Sequence, residues 1–282
     1  MGQASRMSPV EHFLAPAKLT RGLRVVGVRD DGYHLLEAEM ATIDLCDAIE
    51  IEPGATGLEV IDEVAFIEDE RPLASDHRVP GTLAGSVPYG ADNLVARALV
   101  LAGRQARVRL TKRIPAGAGL GGGSSDAAAV LRWAGILDLN AAARLGADVP
   151  FCVVGGRALV SGVGERVEPM GFEAFTVVLV TPAVTVSTPE VYRVWDGLGG
   201  PTGEYGNDLE PAAVVVEPRL SWWCDLISSV AGERPRLAGS GGTWYLERAS
   251  ESARLLAAEL TAAVRAEKAG ALVTVASSTP SA

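Results

Sequence analysis

The sequence predicts an α+β fold, and three observations carry that expectation. Ala106–Lys112 alternates apolar and polar residues with the period of a strand, and Phe175–Val180 is the continuous apolar run of a buried one. Leu94–Gly103 and Ser252–Lys268 read as helices, the second of them amphipathic. Strands and helices are mixed without strict βα alternation, which disfavours a doubly wound sheet. The 282 residues, 48 % of them hydrophobic, suffice for one large or two medium domains with a real core. A break at Met170-Gly171-Phe172 separates two folded patterns and predicts domains over 1–170 and 171–282.

In chain order, residues 1–12 read as a loose start and Phe13–Val28 as extended chain. Asp31-Gly32 marks a turn over Arg29–His34, and Leu35–Ile51 offers two strand-like runs. Residues 54–88 mix short strands with a solvated charged stretch, Glu68–Arg71. Asp92 or Asn93 caps the helix at Leu94. After the strand at Ala106 comes a glycine loop, then the helix former Ala127–Ala134. Ala141–Leu145 is a short helix closed by Gly146, and Gly156–Gly164 a strand and turn. Ser187 or Thr188 caps a helix with Pro189 at its favoured start. Asn207–Pro211 opens a further helix through Trp222 and Leu226, and Arg236–Leu246 reads as strand, glycine turn, strand. Ala271–Ala276 is the last strand, with disorder expected from Ser277 onward.

The glycine loop is the chain's most informative stretch. Pro115–Ala127 holds Gly117, Gly119, Gly121, Gly122 and Gly123 between a strand and a helix start. Ser124, Ser125 and Asp126 read as capping residues there. Bare amides and the positive end of a helix dipole bind phosphate. Two better-known motifs nearly fit. Gly117, Gly119 and Gly122 spell the dinucleotide fingerprint, but no second strand follows. Gly117–Ser124 resembles a Walker A loop, but Gly123 stands where its lysine belongs.

Composition narrows the function classes. A formal net charge of −10 disfavours nucleic acid and anionic membrane as partners. The apolar runs are too short to span a bilayer, and Met1–Arg6 lacks a signal h-region and misses the myristoylation pattern. Cys46, Cys152 and Cys224 are scattered, with neither metal spacing nor an even disulfide set. A cytoplasmic protein is expected.

The loop Pro115–Asp126 resembles the central motif of the GHMP kinases. Pro16-Ala-Lys-Leu19, Asp31-Gly-Tyr-His34, Leu145-Gly-Ala-Asp-Val-Pro150 and Thr188-Pro-Glu-Val-Tyr192 support the resemblance in the right order. Asn207–Glu210 and Leu237–Gly242 add later landmarks, so the resemblance covers roughly Ala15 to Leu246. It implies two domains, one like the second domain of ribosomal protein S5 and one ferredoxin-like, with the active site between them. It further implies transfer of the ATP γ-phosphoryl group, with Mg²⁺, to the 2-hydroxyl of a cytidine diphosphate-linked methylerythritol. On that resemblance ATP is held by Pro115, Ala116, Gly117, Ala118, Gly119, Leu120, Gly121, Gly122, Gly123, Ser124 and Ser125. The two serine hydroxyls would touch phosphate or the metal, whose ligands stay unassigned.

Asp148 is the candidate general base, with Lys18 beside it to neutralise developing charge. Tyr33 and Tyr192 would sandwich the cytosine while His34 reads its edge, with Thr20 and Thr188 completing the substrate site. Thr20 and Arg21 depart from the family, which has Asn and then a hydrophobic residue there. The segment between Trp133 and Gly146 is also shorter than usual. Two other readings are another GHMP small-molecule kinase and a nucleotide-binding regulator without catalysis. Tyr33 and His34 argue against the first, and Lys18 with Asp148 against the second.

Overall fold

The computed structural model describes residues 9–67, 90 and 92–281. The stretch Glu68–Arg71 and the first eight residues lie outside them. The described part of the N-terminal stretch already enters a strand at Glu11.

The chain builds two sheets. The first holds β1 (Glu11–Val28), β2 (His34–Pro53), β3 (Gly57–Asp62), β4 (Ala106–Lys112), β5 (Arg157–Gly162) and β6 (Arg166–Pro169). Its order is β3-β4-β2-β5-β6, and β1 also pairs with β2. The two runs expected over Leu35–Ile51 are one 20-residue strand, because β2 is shared. It pairs with β1 along nearly its whole length, with β5 over Leu36–Ala41 and with β4 over Ala48–Pro53. The register of β1 slips between Pro16 and Lys18 and again between Thr20 and Gly22. Such bulges re-aim side chains, and here they flank Lys18 and Thr20, both buried.

The helices packed on this sheet are α1 (Leu94–Ala102), α2 (Gly122–Trp133), α3 (Leu139–Ala143) and α4 (Val149–Val154). Asn93 caps α1 by accepting the Val95 N–H at 2.8 Å. α2 begins earlier than expected, with left-handed Gly121 as its N-cap and no side-chain cap. Ser124, Ser125 and Asp126 therefore lie inside the helix rather than capping it. Small Ala127–Ala129 let α2 sit closely on the sheet, and all three are fully buried.

The second sheet, all antiparallel, has the order β10-β7-β9-β8. Its strands are β7 (Thr176–Pro182), β8 (Arg236–Leu237), β9 (Trp244–Arg248) and β10 (Ala271–Ser277), accompanied by α5 (Thr188–Gly197), α6 (Glu210–Val216), α7 (Arg219–Ala231) and α8 (Ser250–Ala266). The single helix expected after Asn207 is two helices. Pro218 forces Glu217 out of helical conformation, to φ −131° and ψ 88°. The tail from Ser277 is ordered, not free. The Ser278 N–H donates to the Phe175 carbonyl and the Thr279 N–H to that of Thr42, both at 2.9 Å, which ties the two sheets together. A small core of Leu19, Ile43, Ile114, Leu120, Leu179 and Tyr245, with their buried neighbours, fills the space between them. Among the described residues, no helix is long and apolar enough to cross a membrane.

One buried ionic cluster joins two strands of the first sheet to a helix packed on it. Lys112, at the end of β4, pairs with Asp47 on β2 and, at 2.7 Å, with Asp126 on α2. All three are at most 5 % exposed. Burial, opposed by Lys112 and reinforced by Asp47, pushes the Asp126 carboxyl up to about 8. Removing one partner leaves charge buried and uncompensated, so Lys112→Met should cost about 3–5 kcal/mol by urea unfolding. Asp126 makes stability depend on pH. Its folded value is raised, so its stabilisation is complete below the ordinary 3.8 and is lost as pH rises toward about 8. Asp126→Asn should flatten the pH dependence of stability across that window, and an unchanged slope would refute the assignment.

Candidate active site

The strand β4 ends in the buried cluster, and the chain then enters the glycine loop. Asp47 Oδ1 accepts the backbone N–H of Arg113 at 2.5 Å and of Ile114 at 2.8 Å, which fixes the loop's entry. From there the loop alternates. Ala118 and Leu120 send their side chains into the core between the sheets, while Gly117, Gly119 and Gly121 stay partly exposed with φ near +70°. A Cβ on Gly119 would stand 2.7 Å from the Gly241 carbonyl oxygen, and one on Gly121 2.7 Å from Lys18 Cγ. Glycine is required at both positions by close approach as well as by backbone conformation.

A cavity of about 420 Å³ opens over this loop. It is lined by Pro115–Gly119, Gly121–Ser124, the start of α1 at Asp92–Leu94, and Lys112. Ser125 is the first amide of α2 to bond back, to the Gly121 carbonyl at 2.9 Å. The amides before it point out of the helix end, with the positive dipole. The loop expected from the sequence to bind phosphate lies beneath this cavity, and two of its residues do not line it. Leu120 does not line the cavity, because its side chain is core and its carbonyl accepts the Lys18 N–H at 3.0 Å. Ser125 does not either. It is buried, and its hydroxyl donates to the Pro16 carbonyl at 2.7 Å. Asn93, Leu94 and Lys112 are cavity residues that sequence reasoning missed. The cap at Asn93 was legible, but only the fold brings the start of α1 over the loop.

Lys18 and Asp148 meet. Lys18 Nζ lies 3.2 Å from Asp148 Oδ2 and donates to Thr20 Oγ1 at 3.1 Å. Asp148 occupies the N-cap position of α4 yet makes no capping hydrogen bond, so its carboxylate is turned to the lysine. Its side chain is 32 % exposed, against 6 % for Lys18. Thr20, expected to touch substrate, is 2 % exposed and instead holds the ammonium. Arg21 points elsewhere. Its guanidinium contacts Glu39, Glu173 and Glu247 at 2.9–3.2 Å and lies 4.5 Å from the Phe175 ring centre. It clamps β2, β9 and the link between the sheets, with no part in the Lys18–Asp148 pair.

Both ends of the second sheet's glycine turn reach this place. Asn207 donates to the carbonyls of Leu237 at 2.9 Å and Gly239 at 2.7 Å, holding the turn against Thr20 and Lys18. Thr243 Oγ1 donates to the Ala118 carbonyl at 2.8 Å. Thr188 shares a 2.7 Å hydrogen bond with Ser240 at the start of α5.

The aromatic residues are arranged differently from the expected sandwich. His34 itself stacks on Tyr192, at 4.6 Å between ring centres and 27° between planes. Tyr33 is 63 % exposed and its ring faces Arg29 instead. The successive residues Tyr33 and His34 enter β2 and point apart, which breaks the pairing of Tyr33 with Tyr192. Burial, with a further push from the Asp148 carboxylate, raises the Tyr192 hydroxyl well above its ordinary value. Tyr192 therefore lies within the field of the Lys18–Asp148 pair. Asp196, not anticipated, accepts from His34 Nε2 at 2.8 Å.

Comparison with known proteins places this geometry. Residues 89–156 match the GHMP kinases N-terminal domain. A curated relative from Paracoccus denitrificans, strain Pd 1222, a 4-diphosphocytidyl-2-C-methyl-D-erythritol kinase, is 36 % identical over 82 % of this chain and 84 % of its own. The kinase of that name from Rhizobium meliloti, strain 1021, is 35 % identical over 83 % and 84 %. A crystal structure of 4-(cytidine 5′-diphospho)-2C-methyl-D-erythritol kinase superposes with a TM-score of 0.69 at 32 % identity, covering 94 % of this chain and 99 % of that one. The L. major mevalonate kinase, at 17 % identity and a TM-score of 0.59, shares the fold alone. The fold is the α+β, two-domain GHMP kinase fold. With that identity over that share of its length, the chain belongs to the 4-diphosphocytidyl-2-C-methyl-D-erythritol kinases of the GHMP kinase family.

Proposed function

We propose that the chain transfers the γ-phosphoryl group of ATP to the 2-hydroxyl of 4-diphosphocytidyl-2-C-methyl-D-erythritol, with Asp148 as general base. The observation that carries this reading is the 3.2 Å contact between Lys18 and an Asp148 freed from capping. The substrate oxygen attacks the γ-phosphorus, its proton passes to Asp148, and the bond to the β-bridging oxygen breaks as ADP leaves. Lys18, oriented by Thr20, neutralises charge gathering at the attacking oxygen. The ATP phosphates lie on the amides of Gly117–Gly119 and Gly121–Ser124 at the N-terminal end of α2. The domains meet near Gly171, between the strands of the first sheet and those of the second.

Mg²⁺ fits the donors present. Ser124, on the cavity wall and beside Gly146, supplies a hard hydroxyl oxygen. Ser124 would hold the ion together with the phosphates, and the ion would supply positive charge to offset the negative charge on the transferred group.

The contact of Lys18 with Asp148 argues against a regulator without catalysis. The patch of His34 and Tyr192 beside Asp148 favours a base-bearing substrate over mevalonate, a sugar or homoserine.

Four single variants and one double variant test the reading. Asp148→Asn keeps the shape and removes the base, so kcat should fall roughly 10²–10⁴-fold while ATP binding persists. Lys18→Met should lose activity in kind, and the double variant should be little worse than either, since the two act as a unit. Additive losses would show independent roles. Gly121→Val meets Lys18 Cγ and forces a left-handed backbone, so it should abolish turnover and weaken ATP binding in a folded chain. Retained ATP affinity there would remove the loop assignment. Tyr192→Ala should weaken binding of the cytidine substrate by ~1–3 kcal/mol, as stacking on an aromatic ring does. Calorimetry with CDP checks this, and an unchanged affinity would place the base elsewhere.

A further inference from the structure

The ring of His34 is held by a single helix. Tyr192, Trp195 and Asp196 stand at i, i+3 and i+4 on α5 and so share a face. Tyr192 covers one side of the imidazole, Trp195 meets it edge-on at 5.5 Å, and Asp196 Oδ1 lies 2.8 Å from Nε2. An ionised carboxylate has no hydrogen to give, so Nε2 carries the proton in this contact. In the neutral ring the other nitrogen, Nδ1, is then a bare acceptor. Among the described residues Nδ1 has no hydrogen-bond partner, and it is not one of the unpartnered atoms sealed from solvent. The side chain as a whole is only 10 % exposed. A mostly buried ring thus presents one open polar atom.

We propose that Asp196 is a positioning residue for base selection: it fixes the Nε2–H tautomer of His34 and so offers Nδ1 as an acceptor to the exocyclic amino group of cytosine. The proposal rests on the cytidine reading above and adds to it the residue that makes the choice. Cytosine carries an amino donor where uracil carries a carbonyl acceptor. A bare Nδ1 bonds the first and opposes the lone pairs of the second. With the other tautomer, Nδ1–H would suit the carbonyl and the preference would reverse. A site that pairs a polar group on its ligand discriminates strongly, because the wrong ligand leaves that group unpaired. Asp196 acts through the ring rather than on the base. Its side chain is half exposed, so the contact adds little to folding, and replacing it leaves the fold intact.

The test uses the full chain, its Asp196→Ala and Asp196→Glu variants, and CDP and UDP as probes. Long-range proton–nitrogen spectra of the ¹⁵N-labelled protein, at a pH where the ring is neutral, report which nitrogen is protonated. The unsubstituted chain should show an unprotonated Nδ1 and prefer CDP. Asp196→Ala should mix the tautomers and lower the CDP-over-UDP ratio about tenfold, the worth of one hydrogen bond. Asp196→Glu should restore both. A variant Asp196→Ala with the same tautomer and the same ratio overturns the proposal, as does a protonated Nδ1 in the unsubstituted chain. An unsubstituted chain that binds neither probe overturns the cytidine reading and the base-selection role with it. The spectra then decide separately whether Asp196 sets the tautomer.

Discussion

The ammonium of Lys112, buried between Asp47 and Asp126, is the constraint on which the site depends. It joins a central strand, its neighbour and the helix that follows the glycine loop. Two carboxylates share one ammonium there, so burial favours a proton on the pair, and the raised Asp126 carboxyl expresses that balance. The remaining oxygen of Asp47 is committed to the two amides at the loop's entry. The loop is thus tethered at its start by β2 and at its end by α2. Its glycines can then hold left-handed conformations without a side chain to fix them.

The chain spends its lysines in a particular way. It has only three, Lys18, Lys112 and Lys268, and two of them are buried against the same loop. The Lys18 stem lies close enough to Gly121 to exclude a Cβ there, while a Cβ on Gly122 would stand 3.0 Å from Ile114 and 3.1 Å from Lys112 Nζ. A compact ammonium on a flexible stem fits such a passage, where a planar guanidinium does not. Elsewhere the chain relies on arginine for its surface and inter-sheet pairs, where a fork of donors can reach several carboxylates. The glycine pattern is therefore explained by two needs at once. Bare amides face the cavity, and the bare α-carbon of Gly121 faces the Lys18 stem.

Much of this was legible in the sequence, and the gaps have physical causes. The loop, Lys18 and Asp148 could be read because each stands in a local pattern, and Asp148 could be told from a cap only by its partner in space. Ser125 and Asp126 looked like caps because their residue types favour helix starts. Gly121 took that position, and the helix carried both side chains inward. The single strand over β2 was hidden because its two halves have different partners. The break at Pro218 was written in the sequence, but the apolar run on either side disguised it. Lys112 and Asp196 had no local signal, since their partners lie on other elements or only one helical turn beyond a recognised motif.

Arg21 stands where the family usually has a hydrophobic residue, and its surroundings make that departure hard to undo. Glu39, Glu173 and Glu247 converge on it, with Arg157 sharing two of these and Arg236 the third. A lone reversion at position 21 would leave three carboxylates facing one another at the junction of the sheets. Loss of a single glutamate is milder, because the others remain. A replacement of Arg21 is therefore tolerated best after the acidic residues have changed, because these contacting side chains are energetically coupled.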